Sequence, residues 1–127
     1  VIVLDGDGAL LMNLGSLATA GRQNPSNLLH LVFNNGIYES SGGFPLPGPE
    51  NIRFDAFARE AGIGDTREVA DLQTWKEALP GLLGTTGHVL VDLKVTAGDP
   101  VPSMIEDKLE CRYRFQRALK ESHSREE

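Results

Sequence analysis

The sequence predicts an α/β domain in which helices cover both faces of a mainly parallel sheet, a three-layer sandwich. Two observations lead to this prediction. Three segments are almost continuously apolar, which is typical of strands buried on both faces of a parallel sheet. Segments with helical spacing of apolar residues separate them, and crossover helices of this kind connect parallel strands. The three strands are expected at Val1–Asp5, Leu28–Phe33 and His88–Val95.

Composition restricts the class of protein and of partner. The 127 residues suffice for one domain, which we expect to span residues 1–127. A net charge of −6 argues against a nucleic-acid partner, and no apolar run is long enough to suggest a membrane segment. The single cysteine permits no internal disulfide, so we expect a cytoplasmic location. Because the sequence opens inside a predicted strand, we expect the domain to lack its N-terminal part.

The first helix is predicted over Ala9–Arg22, where leucines recur at helical spacing. Gly15 lies inside it and costs about 1 kcal/mol relative to alanine, so we expect a close packing contact there. The loop Gln23–Asn27 leads into the second strand. A second loop, rich in glycine, serine and proline, follows that strand over Asn34–Asn51. It is longer than most connections between elements, which favours a functional role.

Beyond the long loop, the sequence predicts two short helices, a short strand and a terminal helix in addition to the strand at His88–Val95. Asp71 is the expected N-cap of a helix through about Leu79, which Pro80 should break or kink. Alternatively, Pro80 opens a separate short turn, Gly81–Leu83. The other expected elements are a helix at Phe54–Ala61 stopped by Gly62, a short strand at Arg67–Ala70, a loop at Thr96–Pro102, a charged helix at Ile105–Lys120 and a frayed end at Glu121–Glu127.

Polar motifs follow the first two predicted strands. Gly6-Asp7-Gly8 follows the first and Asn34-Asn35 the second, so both should lie at the sheet edge where such folds bind ligands. A carboxylate from Asp7 and an amide oxygen from Asn35 suit Mg²⁺. The helix that opens after Gly8 would offer free amides to an anionic diphosphate. The motifs therefore predict a magnesium–diphosphate site; the alternative is an incidental turn followed by an asparagine-rich loop.

The residues around both motifs resemble the thiamine-diphosphate-dependent enzymes. The segments GDGALLMNLGSLAT, from Gly6 to Thr19, and NNGIYESSGG, from Asn34 to Gly43, are similar to the corresponding segments of sulfopyruvate and phosphonopyruvate decarboxylases. The paired motifs occur in thiamine-diphosphate enzymes generally, whereas the Ser-Ser-Gly-Gly loop indicates this subgroup. At three positions the chain departs from the subgroup, with Ala9 for serine, Ser41 for threonine and Phe44 for glutamine, which leaves the substrate open.

The resemblance implies a role for individual residues. Asp7 and Asn35 would be side-chain ligands of Mg²⁺, and Ile37 would contribute its main-chain oxygen. Tyr38 would either line the cofactor pocket or pack against its neighbours. In the first turn, Gly6, Gly8 and Ala9 are also expected to bind the cofactor, and Gly8 and Ala9 would donate their amides to the diphosphate. In the later loop, the residues expected to line or close the pocket are Ser40, Ser41, Gly42 and Gly43.

The resemblance also implies a reaction and a partner. Thiamine diphosphate and Mg²⁺ would support the decarboxylation of a small 2-oxo acid, a 3-substituted pyruvate such as sulfopyruvate or phosphonopyruvate. No residue here matches the glutamate that activates the cofactor, so the catalytic residues are unknown. That glutamate is expected on a pyrimidine-binding domain or subunit of a homo- or hetero-oligomer. The alternatives are an acetolactate-synthase-like carboligase and a non-catalytic assembly subunit of the same fold.

Other residues of functional types are expected to be structural. His30 lies in a predicted strand and should be a packed core residue rather than a base. Trp75 lies at helical spacing from two leucines and should pack in the core or at an interface. Cys111 has no histidine or second cysteine nearby, which argues against a nucleophile. Leu11 occupies the third glycine position of G-x-G-x-x-G, which argues against a flavin or nicotinamide site. The basic residues of the terminal helix, Arg112, Arg114, Arg117 and Lys120, should form a solvated face.

Overall fold

Four parallel strands form the central sheet, in agreement with the predicted α/β class. The computed structural model describes residues 1–98 and 108–123. The elements are β1 (Ile2–Gly6), α1 (Asp7–Met12), α2 (Ser16–Gln23), β2 (Asn27–Asn34), β3 (Ile37–Tyr38), β4 (Phe44–Pro45), α3 (Phe54–Glu60), β5 (Asp65–Val69), α4 (Leu72–Leu83), β6 (Gly87–Lys94) and α5 (Lys108–His123). The sheet order is β1-β2-β6-β5, while β3 and β4 form a separate antiparallel pair.

The two faces of the sheet carry different cores. The register pairs Leu29 with Val89 and His30 with Leu90, so alternate residues of β2 and β6 face opposite sides. On one face, helices α1, α2 and α3 cover the strands; on the other, α4 does. The first core includes Val32, Leu90, Leu10, Leu17, Phe54 and Ala58, and the second Leu29, Leu31, Val69, Leu82, Val89, Val91 and Leu93. The result is the predicted three-layer arrangement.

The helix predicted over Ala9–Arg22 is interrupted, and the expectation of one continuous helix was wrong. Helix α1 ends at Met12 and α2 begins at Ser16, with a tight turn of i→i+3 hydrogen bonds between them. A Cβ on Gly15 would meet nothing within 4 Å, so the expected close packing at Gly15 was also wrong. The tight contact is at Gly21, where a Cβ would overlap the carbonyl oxygen of Ala61 after α3. The glycine that packs closely therefore joins α2 to α3.

Helix α4 continues through Pro80, and the predicted end at Leu79 was wrong. Asp71 is its N-cap as expected, because the Asp71 carboxylate accepts a hydrogen bond of 2.8 Å from the Thr74 amide. The last turn stays helical because Leu82 is buried in the second core. Packing of this side chain outweighs the hydrogen bond that proline removes. Gly81–Leu83 is therefore the end of α4 and not a separate turn.

The remaining boundaries differ by one to three residues, and the larger departure is in the long loop. β5 begins at Asp65 and ends before Ala70. The long loop predicted over Asn34–Asn51 contains the β3–β4 hairpin and two 3₁₀ turns. Residues 121 to 123 belong to α5 rather than to a frayed end. The start of the helix predicted at Ile105, part of the loop Thr96–Pro102 and residues 124–127 lie outside the described residues. Across the described residues, every helix is too short or too polar to span a membrane.

The chain divides into two compact units, of which the first carries the sheet. Val1–Ala97 forms this unit, and Gly98–Glu127 forms the second, whose described element is α5. In α5, Arg112, Arg114 and Arg117 are exposed, as the sequence predicted, and the Lys120 side chain lies outside the described part of the chain. Cys111 is a free thiol of intermediate exposure.

Candidate functional site

Asp7 lies at the carboxyl end of β1 as the first residue of α1 and is only 3% exposed. Its Oδ1 accepts a hydrogen bond of 2.7 Å from the Gly8 amide, and its Oδ2 accepts one of 2.7 Å from the Gly36 amide. No lysine, arginine or histidine among the described residues forms an ion pair with this carboxylate. A carboxylate has about four acceptor positions, and a buried one normally has a positive counter-charge. The environment of Asp7 therefore suits a bound cation.

Asn35 follows the last residue of β2 and has its side chain fixed at both ends. Its Oδ1 accepts a hydrogen bond of 3.1 Å from the Ile37 amide, and its Nδ2 donates one of 2.8 Å to Glu39. Gly36, between Asn35 and Ile37, has a φ of +77°, a conformation that favours glycine. Because the Gly36 amide donates to Asp7, the two polar motifs meet at one sheet edge, which the strand-end argument anticipated.

The oxygen donors at this edge fit a magnesium ion. Asp7 offers a carboxylate, Asn35 an amide oxygen and Ile37 a main-chain carbonyl, the hard ligands that Mg²⁺ prefers. Such a set leaves positions for phosphate oxygens and water, since Mg²⁺ rarely takes an all-protein cage. The side-chain oxygens that accept backbone amides here keep further lone pairs for a metal.

Gly8 and Tyr38 are in close contact, which ties α1 to the strand after the asparagine motif. A Cβ on Gly8 would lie 2.6 Å from Tyr38 Cδ1, so the ring occupies the space that a side chain would need. Tyr38 also packs against the first core, as one of its two predicted roles requires, and the lining of the cofactor pocket stays a prediction. The neighbours Gly6 and Ala9 are exposed. Helix α1 has only six residues, so the helix that follows Gly8 is shorter than predicted.

The serine and glycine loop lies between β3 and β4. Glu39–Ser41 forms a 3₁₀ turn, and Gly42 and Gly43 follow with φ of +94° and +73°. The Gly43 amide donates to the Tyr38 carbonyl at 3.0 Å, which closes the hairpin. All four residues from Ser40 to Gly43 are exposed, and within the described residues neither serine hydroxyl bonds to Asp7 or Asn35. The structure thus brings Asp7, Gly8, Asn35, Ile37 and Tyr38 together, with the loop residues at an exposed tip.

A network of charged side chains lies at the same edge, contributed by residues that the sequence analysis did not select. Asp92, on β6, is fully buried, and its Oδ1 accepts a hydrogen bond of 2.9 Å from Asn34 Nδ2. Lys94 Nζ donates to Asp92 Oδ2 at 3.0 Å. The sequence does mark Asp92 as unusual, because it is an acidic residue inside the apolar strand His88–Val95. The pattern of that strand predicts a core residue at its position.

Asp55 and Glu68 belong to the same network through Arg53. Arg53 Nε lies 3.0 Å from Asp55 Oδ1 and 3.2 Å from Glu68 Oε2. Burial raises the pKa of the Asp55 carboxyl, but the hydrogen bond and charge of Arg53 outweigh burial and hold that pKa below its usual range. The network borders an open cleft of about 490 Å³, also lined by Asn35 and Gly36. Charged groups therefore line the cleft next to Asn35 and Gly36.

Two histidines stack on the sheet face under α1 and α2, away from the donors described above. The rings of His30 and His88 are 6.5 Å apart and nearly parallel, and His30 Nε2 lies 3.3 Å from Asp5 Oδ2. Burial and the charge of His30 lower the pKa of His88, against a smaller opposing contribution from the Ala20 backbone. Both rings are buried, so the expectation that His30 is a core residue is confirmed.

The chain belongs to the thiamine-diphosphate-dependent enzymes. The family model for the thiamine pyrophosphate enzyme C-terminal TPP-binding domain matches residues 1–93. This confirms the family and the fold that the motifs predicted. The match covers the sheet up to Leu93 and includes both polar motifs.

Curated relatives place the chain within that family. Phosphonopyruvate decarboxylase of Streptomyces viridochromogenes is 40% identical over 98 residues, which are 77% of this chain and 24% of the relative. Sulfopyruvate decarboxylase subunit beta of Methanocaldococcus jannaschii is 32% identical over 123 residues, which are 96% of this chain and 65% of the relative. The same subunit of Methanothermobacter thermautotrophicus is 35% identical over 116 residues, 91% of this chain and 60% of the relative. The chain thus spans from a quarter to two thirds of these relatives.

Proposed function

We propose that this chain binds the diphosphate of thiamine diphosphate and a Mg²⁺ ion in an enzyme that decarboxylates a 3-substituted pyruvate. Sulfopyruvate and phosphonopyruvate are the proposed substrates, from the names of the relatives. The observation that supports this site best is the hydrogen bond of 2.7 Å between the Gly36 amide and Asp7. It joins the two polar motifs at one edge and leaves a buried carboxylate free to bind a cation.

In this proposal each residue of the site has one task. Asp7 and Asn35 bind the metal through their side chains and Ile37 through its carbonyl. Gly8 and Ala9 donate amides to the diphosphate next to Gly6, and Tyr38 holds the first turn against the second motif. When bound, thiamine diphosphate supplies the electron sink for the electrons released with CO₂. The residues of the exposed tip, Ser40, Ser41, Gly42 and Gly43, close over the cofactor and substrate.

The proposed enzyme needs a second component. We propose that a pyrimidine-binding domain or subunit provides the activating glutamate. Residues 1–127 would form one domain, which assembles with this partner in a homo- or hetero-oligomer. Two of the relatives are beta subunits, which supports a partner on a separate chain. Glu39 and Glu50 lie in the segment after β2, and we assign neither of them the role of the activating glutamate. Glu39 already accepts a hydrogen bond from Asn35.

The test is a calorimetric titration of thiamine diphosphate, with and without Mg²⁺, into the chain assembled with its pyrimidine-binding partner. Asp7→Asn and Asn35→Ala should abolish the metal-dependent part of the binding. Asn51→Ala is the matched control, since the exposed Asn51 side chain bonds, within the described residues, to Glu50 alone. Binding should then allow CO₂ release from sulfopyruvate or phosphonopyruvate. Absence of binding by the unmodified assembly would contradict the enzyme and favour the non-catalytic assembly subunit.

A further inference from the structure

Asp92 contacts both ends of the segment that carries the second motif. Asn34, the last residue of β2, donates from Nδ2 to Asp92 Oδ1 at 2.9 Å. Phe54, the first residue of α3, donates its amide to Asp92 Oδ2 at 3.3 Å. Everything between these two residues, segment 35–53, includes Asn35, Ile37 and the β3–β4 hairpin. One fully buried carboxylate therefore joins the start of this segment to its end.

The contact with α3 replaces a helix cap. The Phe54 amide belongs to the first turn of α3 and has no acceptor within the helix. The preceding residue, Arg53, makes no capping hydrogen bond with its side chain. Asp92 provides the missing acceptor from β6, and its negative charge is favourable at a helix start. The end of segment 35–53 is thus fixed to the centre of the sheet.

The start of the segment is fixed in the same place. The Asn34 carbonyl accepts a hydrogen bond of 3.0 Å from the Val95 amide, in addition to the bond that the Asn34 side chain donates to Asp92. The side chain of Asn34 is therefore bound to β6, and its backbone is bound to the residue that follows β6. The chain direction at Asn35 is therefore set by contacts on the preceding residue. Gly36 is in turn held by Asp7.

The charges of the network suit a structural role better than the binding of an anion. Lys94 Nζ lies 3.0 Å from Asp92 and 3.5 Å from Glu68, so its charge is already compensated. Arg53 is compensated in the same way by Asp55 and Glu68. The ion pair with Lys94 also offsets the cost of burying the Asp92 carboxylate. The cations at the cleft are thus engaged in holding the carboxylates.

We propose that Asp92 is a positioning residue for the metal site: by joining Asn34 to Phe54, it holds segment 35–53 so that Asn35 and Ile37 face Asp7. This rests on the proposed function, in which Asn35 and Ile37 bind Mg²⁺. Asp92 itself touches neither metal nor cofactor. Loss of its two contacts leaves the ligands present but the segment free to move, which weakens metal binding rather than removing it.

Asp92→Asn and Asp55→Asn form a matched pair for the test, because both carboxylates are buried members of one network. Asp55 bonds to the side chains of Arg53 and Arg59 and, among the described residues, to neither Asn34 nor Phe54, so it does not join the start of the segment to its end. Both substitutions should lower Tm. In the chain assembled with its pyrimidine-binding partner, Asp92→Asn should raise the Kd for Mg²⁺ at saturating thiamine diphosphate about tenfold or more, as loss of outer-sphere partners does. Asp55→Asn should leave that Kd within about twofold of the unmodified value.

Hydrogen exchange of the chain without cofactor gives a second readout. Asp92→Asn should speed exchange at the amides of segment 35–53, such as Gly36 and Leu46, and Asp55→Asn should not. Equal Kd changes in the two variants, or unchanged exchange in Asp92→Asn, would overturn the proposal. If the unmodified assembly binds no cofactor, the proposed function fails, whereas the exchange experiment still decides whether Asp92 holds the segment. If Asp92→Asn does not fold, Asn34→Ala removes one of the two contacts and takes its place in both measurements.

Discussion

Gly8 shows how a single missing side chain shapes the site. Tyr38 lies where a Gly8 Cβ would be, so the two polar motifs are joined by packing as well as by the hydrogen bond between Gly36 and Asp7. Glycine at position 8 is therefore required for the contact with Tyr38. Gly6, two residues earlier, has open space around it.

Gly8→Ala should destabilise the chain by about 1–3 kcal/mol, the usual effect of overpacking, because the Tyr38 ring must move. Gly6→Ala, the matched control, should change the free energy of unfolding by less than about 0.5 kcal/mol. Urea unfolding of both variants measures this. Equal stabilities would contradict the packing argument, and Tyr38→Ala should relieve most of the effect of Gly8→Ala.

His88 gives stability a dependence on pH. The His30 ring stacks on His88, and His30 Nε2 lies 3.3 Å from Asp5 Oδ2. The pKa of His88 in the folded chain lies below the ordinary value of 6.5, mainly because of burial and secondarily because of the charge of His30. Between these two pKa values the unfolded chain binds more protons, so stability rises with pH through this window and falls on acidification below about 6.5. His88→Leu should flatten that fall when unfolding is compared at neutral and mildly acidic pH. His123→Leu, in α5, is the control; a pH dependence unaltered by His88→Leu would rule out this origin.

The elements show where sequence patterns succeed. The spacing in Leu28–Phe33, Phe54–Ala61 and His88–Val95 predicted β2, α3 and β6 almost to their ends, because burial enforces the pattern along each of these segments. The pairing of Asp7 with the second motif also followed from strand ends alone. The role of Asp92 did not, because its partners Asn34 and Phe54 are brought to it only by the sheet and the α3 packing.

Local propensity failed where tertiary contacts outweigh it. Pro80 predicted a break or a kink after Leu79, yet α4 continues to Leu83, where Leu82 is buried. The break between α1 and α2 had the opposite cause, since Asn13 and Gly15 are weak helix formers within an apparently regular leucine pattern. Gly21 could not be singled out from Gly15 by sequence, because only the approach of α3 distinguishes them.

Gly21→Ala should destabilise the chain by about 3 kcal/mol, at the upper end for overpacking, because the overlapping atom is a backbone oxygen that cannot rotate away. Gly15→Ala should change stability by no more than about 1 kcal/mol, since open space surrounds that position. Gly15 is the N-cap of α2, where alanine is less favourable than glycine. Thermal unfolding compares the two variants. A smaller effect at Gly21 than at Gly15 would contradict the close approach of α2 and α3.

Pro80→Ala should stabilise the chain by about 1–2 kcal/mol. It restores a helical hydrogen bond worth part of the roughly 3 kcal/mol that proline costs inside a helix, while the more flexible unfolded chain offsets some of the gain. Pro47→Ala, in the exposed part of the long segment, should give no gain. A lower Tm for Pro80→Ala would show that Pro80 contributes a favourable contact.

At the scale of the whole molecule, the sheet is open at β1. Strands of parallel sheets are normally covered on both faces, yet Leu4 is 67% exposed and Ile2, Val1 and Val3 are exposed as well. An apolar strand at a sheet edge promotes association between chains. Leu4→Lys should therefore lower self-association of the isolated chain in light scattering, with little change in Tm. Leu72→Lys, on α4 and equally exposed at 65%, should not.

The pairing of β2 with β6 has a consequence for synthesis on the ribosome. These two central strands have eight paired positions, from Asn27 with Gly87 to Asn34 with Lys94, and most of the domain lies between them in the chain. No local hairpin can form the centre of the sheet early, and such distant pairings fold slowly. The apolar strand β2 therefore lacks its β6 partner until β6 has emerged, and during this period its unpaired edge favours aggregation.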